Sequence, residues 1–251
     1  MKGKRVLITR SVEDNKEFKE QLEKKGAEVV EAPMIEFKVA EDLTVIHEQL
    51  NQLETIDWIV FTSAKTVEFF FQIAANFGTK FYYYPDLKLA TVGEKTKLKL
   101  EQLGYRTNFV PIQYTAEVLA ENMDENIEGK KVLVPQSNLT GNEYLRVFEK
   151  RGALPIPVII YDTLPVIHTA EAFQEKMLAV DYLTFTSGST VEAFMQNMKN
   201  MEGAIHQEKI VCIGPSTAKV VEQNGQKVSA IAEPHTTEGM IHAIEKLEEH
   251  V

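Results

Sequence analysis

At 251 residues the chain has room for one large domain or two small ones. Its composition, 44% hydrophobic and 25% charged, is that of an ordinary globular protein, and a formal charge of −10 argues against non-specific nucleic-acid binding. One cysteine, Cys212, excludes an internal disulfide. The apolar runs, such as "LPIPVIIY", are too short to span a bilayer. The opening "MKGKRVLITR" is basic, but its apolar stretch is too short for a signal peptide, so the cytoplasm is the default location.

In chain order, "RVLITR" is a short β-branched run of the kind that forms a buried parallel strand. Residues 12–25 follow with helical period, placing Val12, Phe18 and Leu22 on one face. Ser11 with Asp14 has the spacing of a capping box, and Gly26 falls just past the helix end, where a left-handed residue is needed. Pro33 favours extended backbone nearby. "WIVFTS" is a second strand ending in Thr62 and Ser63, and a helical pattern follows it. "FYYYP" (residues 81–85) is a packed connection. "LATVG" and "KVLVPQ" are further strands, and Gly152 in "KRGALPI" repeats the role of Gly26. Alternating strands and helices at this spacing predict α/β architecture: doubly wound parallel sheets.

The chain also repeats itself. "DWIVFTSAKTVEFFFQ" (57–72) returns as "DYLTFTSGSTVEAFMQ" (181–196). "LATVGEKTKLKLEQLGY" (89–105) matches "IVCIGPSTAKVVEQNGQ" (210–226), with Gly93 against Gly214. "KRVLITRSVEDNKEFKEQLEKKGAEVV" resembles "KKVLVPQSNLTGNEYLRVFEKRGALPI". Three segments recurring in one order indicate an ancient duplication into two similar domains. Two copies of this length are not a solenoid. Periodicity alone is equally compatible with a tandem division near residue 127.

In parallel α/β sheets, ligands sit beyond the carboxyl ends of the strands. The hydroxyl pairs Thr62-Ser63, Thr186-Ser187, Ser216-Thr217 and Thr236-Thr237, with Thr115, fall there and are expected to cap the helices they precede. Several helix N-termini on one edge offer unpaired N–H groups and positive dipole ends. Two such domains facing each other would line a cleft with anion sites. Arg10, at the carboxyl end of the first strand, is the basic group best placed to join them; Lys65, Lys95 and Lys219 read as solvated charges.

Other machinery is missing. No G-x-G-x-x-G is present, and "VGEKTK" lacks the upstream glycine of a P-loop. The six histidines (His47, His168, His206, His235, His242, His250) are scattered, so no metal site is expected. Cys212 lies in the apolar run "IVCIG", as a core residue would, and "TSGST" has no identifiable base nearby.

Taken together, "VLITR", "FTS" opening a helix, "VGEKT", "IGPST", "VIIYDT" and a late Thr-Thr-Glu resemble the uroporphyrinogen-III synthase family over nearly the whole chain. The resemblance implies two α/β domains joined by two extended linkers, near 34–37 and 161–164. The first domain would be discontinuous, 1–35 with 164–251, and the second would be 36–163. It implies a lyase of tetrapyrrole (haem) biosynthesis that cyclises hydroxymethylbilane, an acidic linear tetrapyrrole, with loss of water and inversion of the last pyrrole ring. No cofactor, metal, nucleic acid or membrane is implied. A monomer is, and transient contact with neighbouring pathway enzymes is compatible with it. Tyr161 in "YDT" falls on the family's linker tyrosine, which would hydrogen-bond the leaving hydroxyl. Thr96, Ser187 and Ser216 fall on its carboxylate-binding hydroxyls. With them the expected substrate-binding set is Arg10, Thr62, Ser63, Ser137, Gly188, Ser189, Thr217 and Thr237. "SNLTG" (137–141) departs from the family pattern. The alternative from another class is a non-enzymatic two-domain sensor for a small anionic ligand. The "YDT" segment favours the enzyme.

Overall fold

A computed structural model describes residues 1–123, 126–199 and 208–249. By internal contacts the chain divides into two compact units, Met1–Phe37 with Leu164–Val251, and Lys38–Thr163.

The first unit is built on a five-stranded sheet in the order β10-β9-β8-β1-β2. Its strands are β1 (Arg5–Ile8), β2 (Glu28–Glu31), β8 (Tyr182–Phe185), β9 (Lys209–Cys212) and β10 (Val228–Ile231). Every pairing is parallel. The central strand β8 is buried throughout, whereas the edge strands β2 and β10 are partly exposed. That gradient is why β1 and β8 read as continuous apolar runs. Alternate side chains serve the two faces. Val6, Ile8, Tyr182 and Val211 pack with Phe18 and Leu22 of α1 (Val12–Lys24) and with Met240, Ile241 and Ile244 of α10 (Thr237–Glu249). Leu7, Leu183, Phe185 and Ile210 pack on the other side with Val191 and Phe194 of α8 (Gly188–Met198) and Ala218 and Val221 of α9 (Pro215–Gln223).

The second unit repeats the plan in the order β3-β7-β6-β4-β5. Its strands are β3 (Ile35–Val39), β4 (Trp58–Phe61), β5 (Lys88–Thr91), β6 (Lys131–Ser137) and β7 (Leu154–Pro165). The pairings of β4 with β5 and β6, and of β6 with β7, are parallel. Trp58, Val60, Val132 and Val134 face α5 (Ala116–Asn122) and α6 (Leu145–Lys150). On the opposite face Phe61 meets Phe70 and Phe71 of α3 (Ala64–Asn76). After β5 the chain enters α4 (Glu94–Gln102).

The duplicated acid before each strand has a structural task. Asp57 Oδ2 accepts the backbone N–H of Lys131, and Asp181 Oδ2 accepts that of Arg5, each at 2.9 and 2.8 Å respectively. Each closes the first rung between neighbouring strands, a donor that would otherwise be left unmade. Gly26 and Gly152 adopt φ of +83° and +78°, the left-handed geometry expected past α1 and α6.

Three local expectations are corrected. Val12 is 66% exposed; the buried face of α1 is Asn15, Phe18 and Leu22. The helix begins at Val12, so its side chain lies in the first turn, ahead of the stripe. Ser11 occupies the N-cap of α1, but its side chain makes no capping bond; the Asp14 N–H is accepted by the Ser11 carbonyl instead. "FYYYP" is only half packed: Phe81 lies against Phe70, Phe71 and Tyr105, while Tyr82 and Tyr83 are exposed.

Candidate active site

Because each sheet is parallel, the loops that follow its strands emerge along one edge. In the first unit that edge carries the N-termini of α1, α8, α9 and α10. In the second it carries those of α3 and α4. Each terminus presents N–H groups with no partner inside the helix and a positive dipole end, the arrangement that binds carboxylates.

The expected hydroxyls divide by what they do. Ser63 and Ser187 are genuine N-caps: Ser63 Oγ accepts the Thr66 N–H at 3.1 Å, and Ser187 Oγ accepts the Thr190 N–H at 3.3 Å. Ser63 Oγ also meets Thr66 Oγ1 at 2.8 Å, and Ser187 Oγ meets Ser189 Oγ at 2.9 Å. Both copies of the repeated motif therefore build a small hydroxyl cluster at a helix start. Thr115 caps α5 through the Val118 N–H. Thr62 is half-buried beside Ser63.

Ser216-Thr217 is not a cap. Gly214 holds the N-cap of α9 with no side-chain bond, and Pro215 opens the helix, which suits it because the missing N–H is an orphan there anyway. Ser216 in the first turn is exposed, whereas Thr217 is buried. Thr96 has the matching place in α4, which Gly93 caps, and is buried too. At α10 the cap is Thr236, whose Oγ1 accepts the Gly239 N–H at 3.1 Å; Thr237 is the first helical residue. Gly188 opens α8, and a Cβ placed there would come within 3.0 Å of Val220 Cγ2, so a larger residue would press α8 against α9.

Arg10 follows β1 as expected, its side chain largely buried, with Nη2 3.9 Å from Asp14 Oδ2. At that distance Asp14 orients the guanidinium without fully occupying it. Lys65 is tied to Glu68 at 3.1 Å, and Lys99 reaches the same carboxylate at 2.5 Å. Burial opposes ionisation of Glu68, but the two ammonium groups outweigh it and hold the carboxyl below its usual range.

Ser137 is committed to the fold. Its Oγ donates to Asn138 Oδ1, meets Thr163 Oγ1, and accepts the Leu139 N–H, at 3.0, 3.0 and 3.2 Å. Asn138 extends the clamp: its Oδ1 accepts the Thr163 N–H at 2.9 Å, and its own N–H donates to the Tyr161 carbonyl at 3.2 Å. Tyr161 is thereby fixed on β7, opposite Ser137. The residue is 6% exposed, and its ring stacks on Phe69 of α3, with centroids 4.7 Å apart and planes 8° from parallel. Sequence reasoning missed Phe69 and Asn138. Phe69 could have been noticed as the one aromatic of the "EFFFQ" run not needed by the core.

Cys212 is buried, and burial, with the Glu222 charge adding to it, pushes its thiol up to about 12, so it is inert as a nucleophile. Among the described residues no three His, Cys, Asp or Glu side chains cluster as a metal site, and no helix is long and apolar enough to cross a membrane. His206 and His250 lie outside the described residues.

The family description "Uroporphyrinogen-III synthase HemD" matches residues 16–242. The chain belongs to the uroporphyrinogen-III synthase family. The uroporphyrinogen-III synthase of Synechococcus elongatus is 27% identical over 252 residues, covering 97% of this chain and 95% of that protein. The "Porphyrin biosynthesis protein HemD" of Ruminiclostridium josui is 26% identical over 95% of this chain, which spans only 47% of that longer protein. Among solved structures, a mutant uroporphyrinogen III synthase of Thermus thermophilus aligns over 99% of this chain and 100% of its own, with a TM-score of 0.67 at 16% identity. That likeness establishes the two-domain α/β fold. Family membership also decides against the non-enzymatic sensor reading.

Proposed function

We propose that the protein is a uroporphyrinogen-III synthase: a lyase that cyclises hydroxymethylbilane with loss of water and inversion of the last ring. One observation carries the proposal: within a chain matching this family, the carboxyl edge of the first sheet gathers the N-termini of α1, α8, α9 and α10, and that of the second sheet those of α3 and α4. A linear tetrapyrrole bearing eight carboxylates calls for many dispersed anion sites more than for one strong one.

The residues divide the work. Backbone N–H groups at the starts of α1, α3, α4, α8, α9 and α10 hold carboxylates, with Arg10, Thr62, Ser189, Ser216 and Thr237 contributing side-chain donors. Ser63 and Ser187 shape the helix starts as caps. Gly188 keeps α8 close to α9. Thr96, Thr217 and Ser137, all buried, support the backbone beneath the ligand. Tyr161 donates to the departing hydroxyl, which leaves as water after taking a proton. The resulting cation is attacked by the substituted carbon of the last pyrrole. The spiro intermediate opens and recloses at the other carbon, and loss of a proton restores the aromatic ring. The protein's task is to hold the chain ends in this geometry, an entropic contribution that can be large.

The test is direct. Purified protein given freshly generated hydroxymethylbilane yields mainly the type III isomer after oxidation and chromatography. A type I product indistinguishable from the protein-free control overturns the proposal.

A further inference from the structure

Asparagine 197 lies near the end of α8 and is 2% exposed. A buried amide without partners is costly, and this one has partners on every side. Its Oδ1 accepts the His168 N–H at 2.8 Å. Its Nδ2 donates to the carbonyls of Val166 at 2.9 Å and Ala193 at 2.8 Å, and lies 3.7 Å from Met34 Sδ. The bond to Ala193 is within α8, but the others reach two distant segments. Residues 166–168 are where the chain re-enters the first unit, and Met34 is where it is about to leave.

Those two segments are also joined to each other. The Val166 N–H donates to the Met34 carbonyl at 2.8 Å, and His168 Nε2 donates to the Pro33 carbonyl at 2.8 Å while its ring stacks on Phe173. Met34 is in turn bound to β1's loop through its N–H and the Thr9 carbonyl. Asn197 is the side chain through which α8 grips this junction.

The internal repeat supplies a control. Carrying the match of 57–72 with 181–196 one residue further sets Ile73 against Asn197. Ile73 is equally buried in α3, at 2% exposure. The helix position therefore needs burial, and in α3 an apolar residue satisfies it. The polar residue stands in the copy whose helix end meets Met34, Val166 and His168.

We propose that Asn197 is a positioning residue: it fixes the roots of both crossings on α8, the helix whose other end bears Ser187, Gly188 and Ser189. It touches no substrate. On the proposed synthase function, on which this inference rests, it sets the register between α8, with its carboxylate-binding end, and the segment 166–168 by which the chain re-enters this unit. Errors of about 1 Å in such registers can cost on the order of a hundredfold in rate.

The test replaces Asn197 by the residue its own repeat uses, Asn197→Ile. Amide exchange across residues 166–169 is measured by mass spectrometry, and steady-state kinetics are paired with product isomer analysis at enzyme excess. The expected result is faster exchange in that segment, KM within about threefold, kcat down about tenfold or more, and a raised type I fraction that extra enzyme does not correct. A smaller active fraction alone is corrected by extra enzyme, so a wholly type III product at enzyme excess overturns the proposal, as does unchanged kcat. If Asn197→Ile does not fold, Asn197→Asp keeps the shape and the acceptor for the His168 N–H, and the same split is expected of it. If the wild type itself gives only type I product, the synthase function fails. The exchange measurement then judges the anchor alone, and unchanged protection overturns it.

Discussion

Glycine 239, in the first turn of α10, is a position where one added methyl should be expensive. A Cβ built there lies 1.9 Å from the Pro234 carbonyl oxygen, 3.0 Å from its carbon and 3.2 Å from the Glu233 carbonyl carbon. Bringing the oxygen to 3.0 Å, the shortest approach real Cβ atoms show, requires roughly 1 Å of movement. Neither side yields easily. The loop is pinned by Ala232, whose N–H bonds the Cys212 carbonyl at 2.8 Å and whose carbonyl accepts from His235 Nδ1 at 2.7 Å. The helix is pinned by Met240, Ile241 and Ile244, buried against Phe18, Leu22 and Tyr182. The atoms met are backbone, so no side chain can swing aside.

Overpacking of this kind costs about 1–3 kcal/mol and sometimes more, while alanine recovers about 0.5–1 kcal/mol of helix propensity. A net loss of about 1–2 kcal/mol lowers the melting midpoint by several degrees for a protein of this size. Because the 233–236 loop leads directly into Thr237 at the start of α10, Gly239→Ala should also reduce kcat/KM. Circular-dichroism melts and the isomer assay read both effects. A midpoint that rises, as for an ordinary glycine in an exposed helix, would refute the claimed contact.

Tyr161→Phe should lower kcat by about 10²–10⁴-fold if the hydroxyl donates its proton in the chemical step; a loss below about tenfold would mean it only orients the substrate. Ser187→Ala should cost about 1 kcal/mol of stability as a lost cap, visible in urea melts. Ser216→Ala should leave stability unchanged, since its hydroxyl caps nothing, and weaken turnover by the loss of one carboxylate contact, about 1.5–3 kcal/mol at most. Burial opposes ionisation of Asp57, but bonds from the Lys130 ammonium and the Lys131 N–H outweigh it, so its folded pKa lies below the usual value of about 3.9. Its contribution is therefore present above that value and fades as pH falls through the lower folded one. Asp57→Asn should narrow the stability gap between pH 7 and pH 3 relative to wild type, and an unchanged gap would count against the bond.

How much was legible in the sequence depended on whether a feature is local. β1, β4 and β6 announced themselves because a strand buried on both faces is apolar along most of its length. The caps Ser63, Ser187 and Thr115 were legible for the same reason: the bond runs from a side chain to an N–H three residues on. Val12 failed because the period of a helix says nothing about where its first turn begins. Ser216-Thr217 failed because a glycine already held the cap, and "GPST" fits a proline-led helix start as well as a capped one.

The candidate site was legible as an edge but not as a set of contacts. Strand-helix alternation is enough to place Arg10, Ser187 and Ser216 at the carboxyl edge of one sheet and Thr62 at that of the other. Nothing in one sequence says which hydroxyls the fold itself uses. Ser137 shows the difficulty. It sits at the carboxyl end of β6, where a ligand contact is expected, yet its oxygen is spent on Asn138, Leu139 and Thr163. Its partner Thr163 is 26 residues away, a separation with no periodic signature. Asn138 and Asn197 escaped notice for the same reason: both spend their amides on residues made adjacent only by the return of the chain. Long-range polar anchors of this kind do not follow from local pattern. An internal repeat can expose them, because a position that is Ile in one copy and Asn in the other must be answering to something outside its own helix.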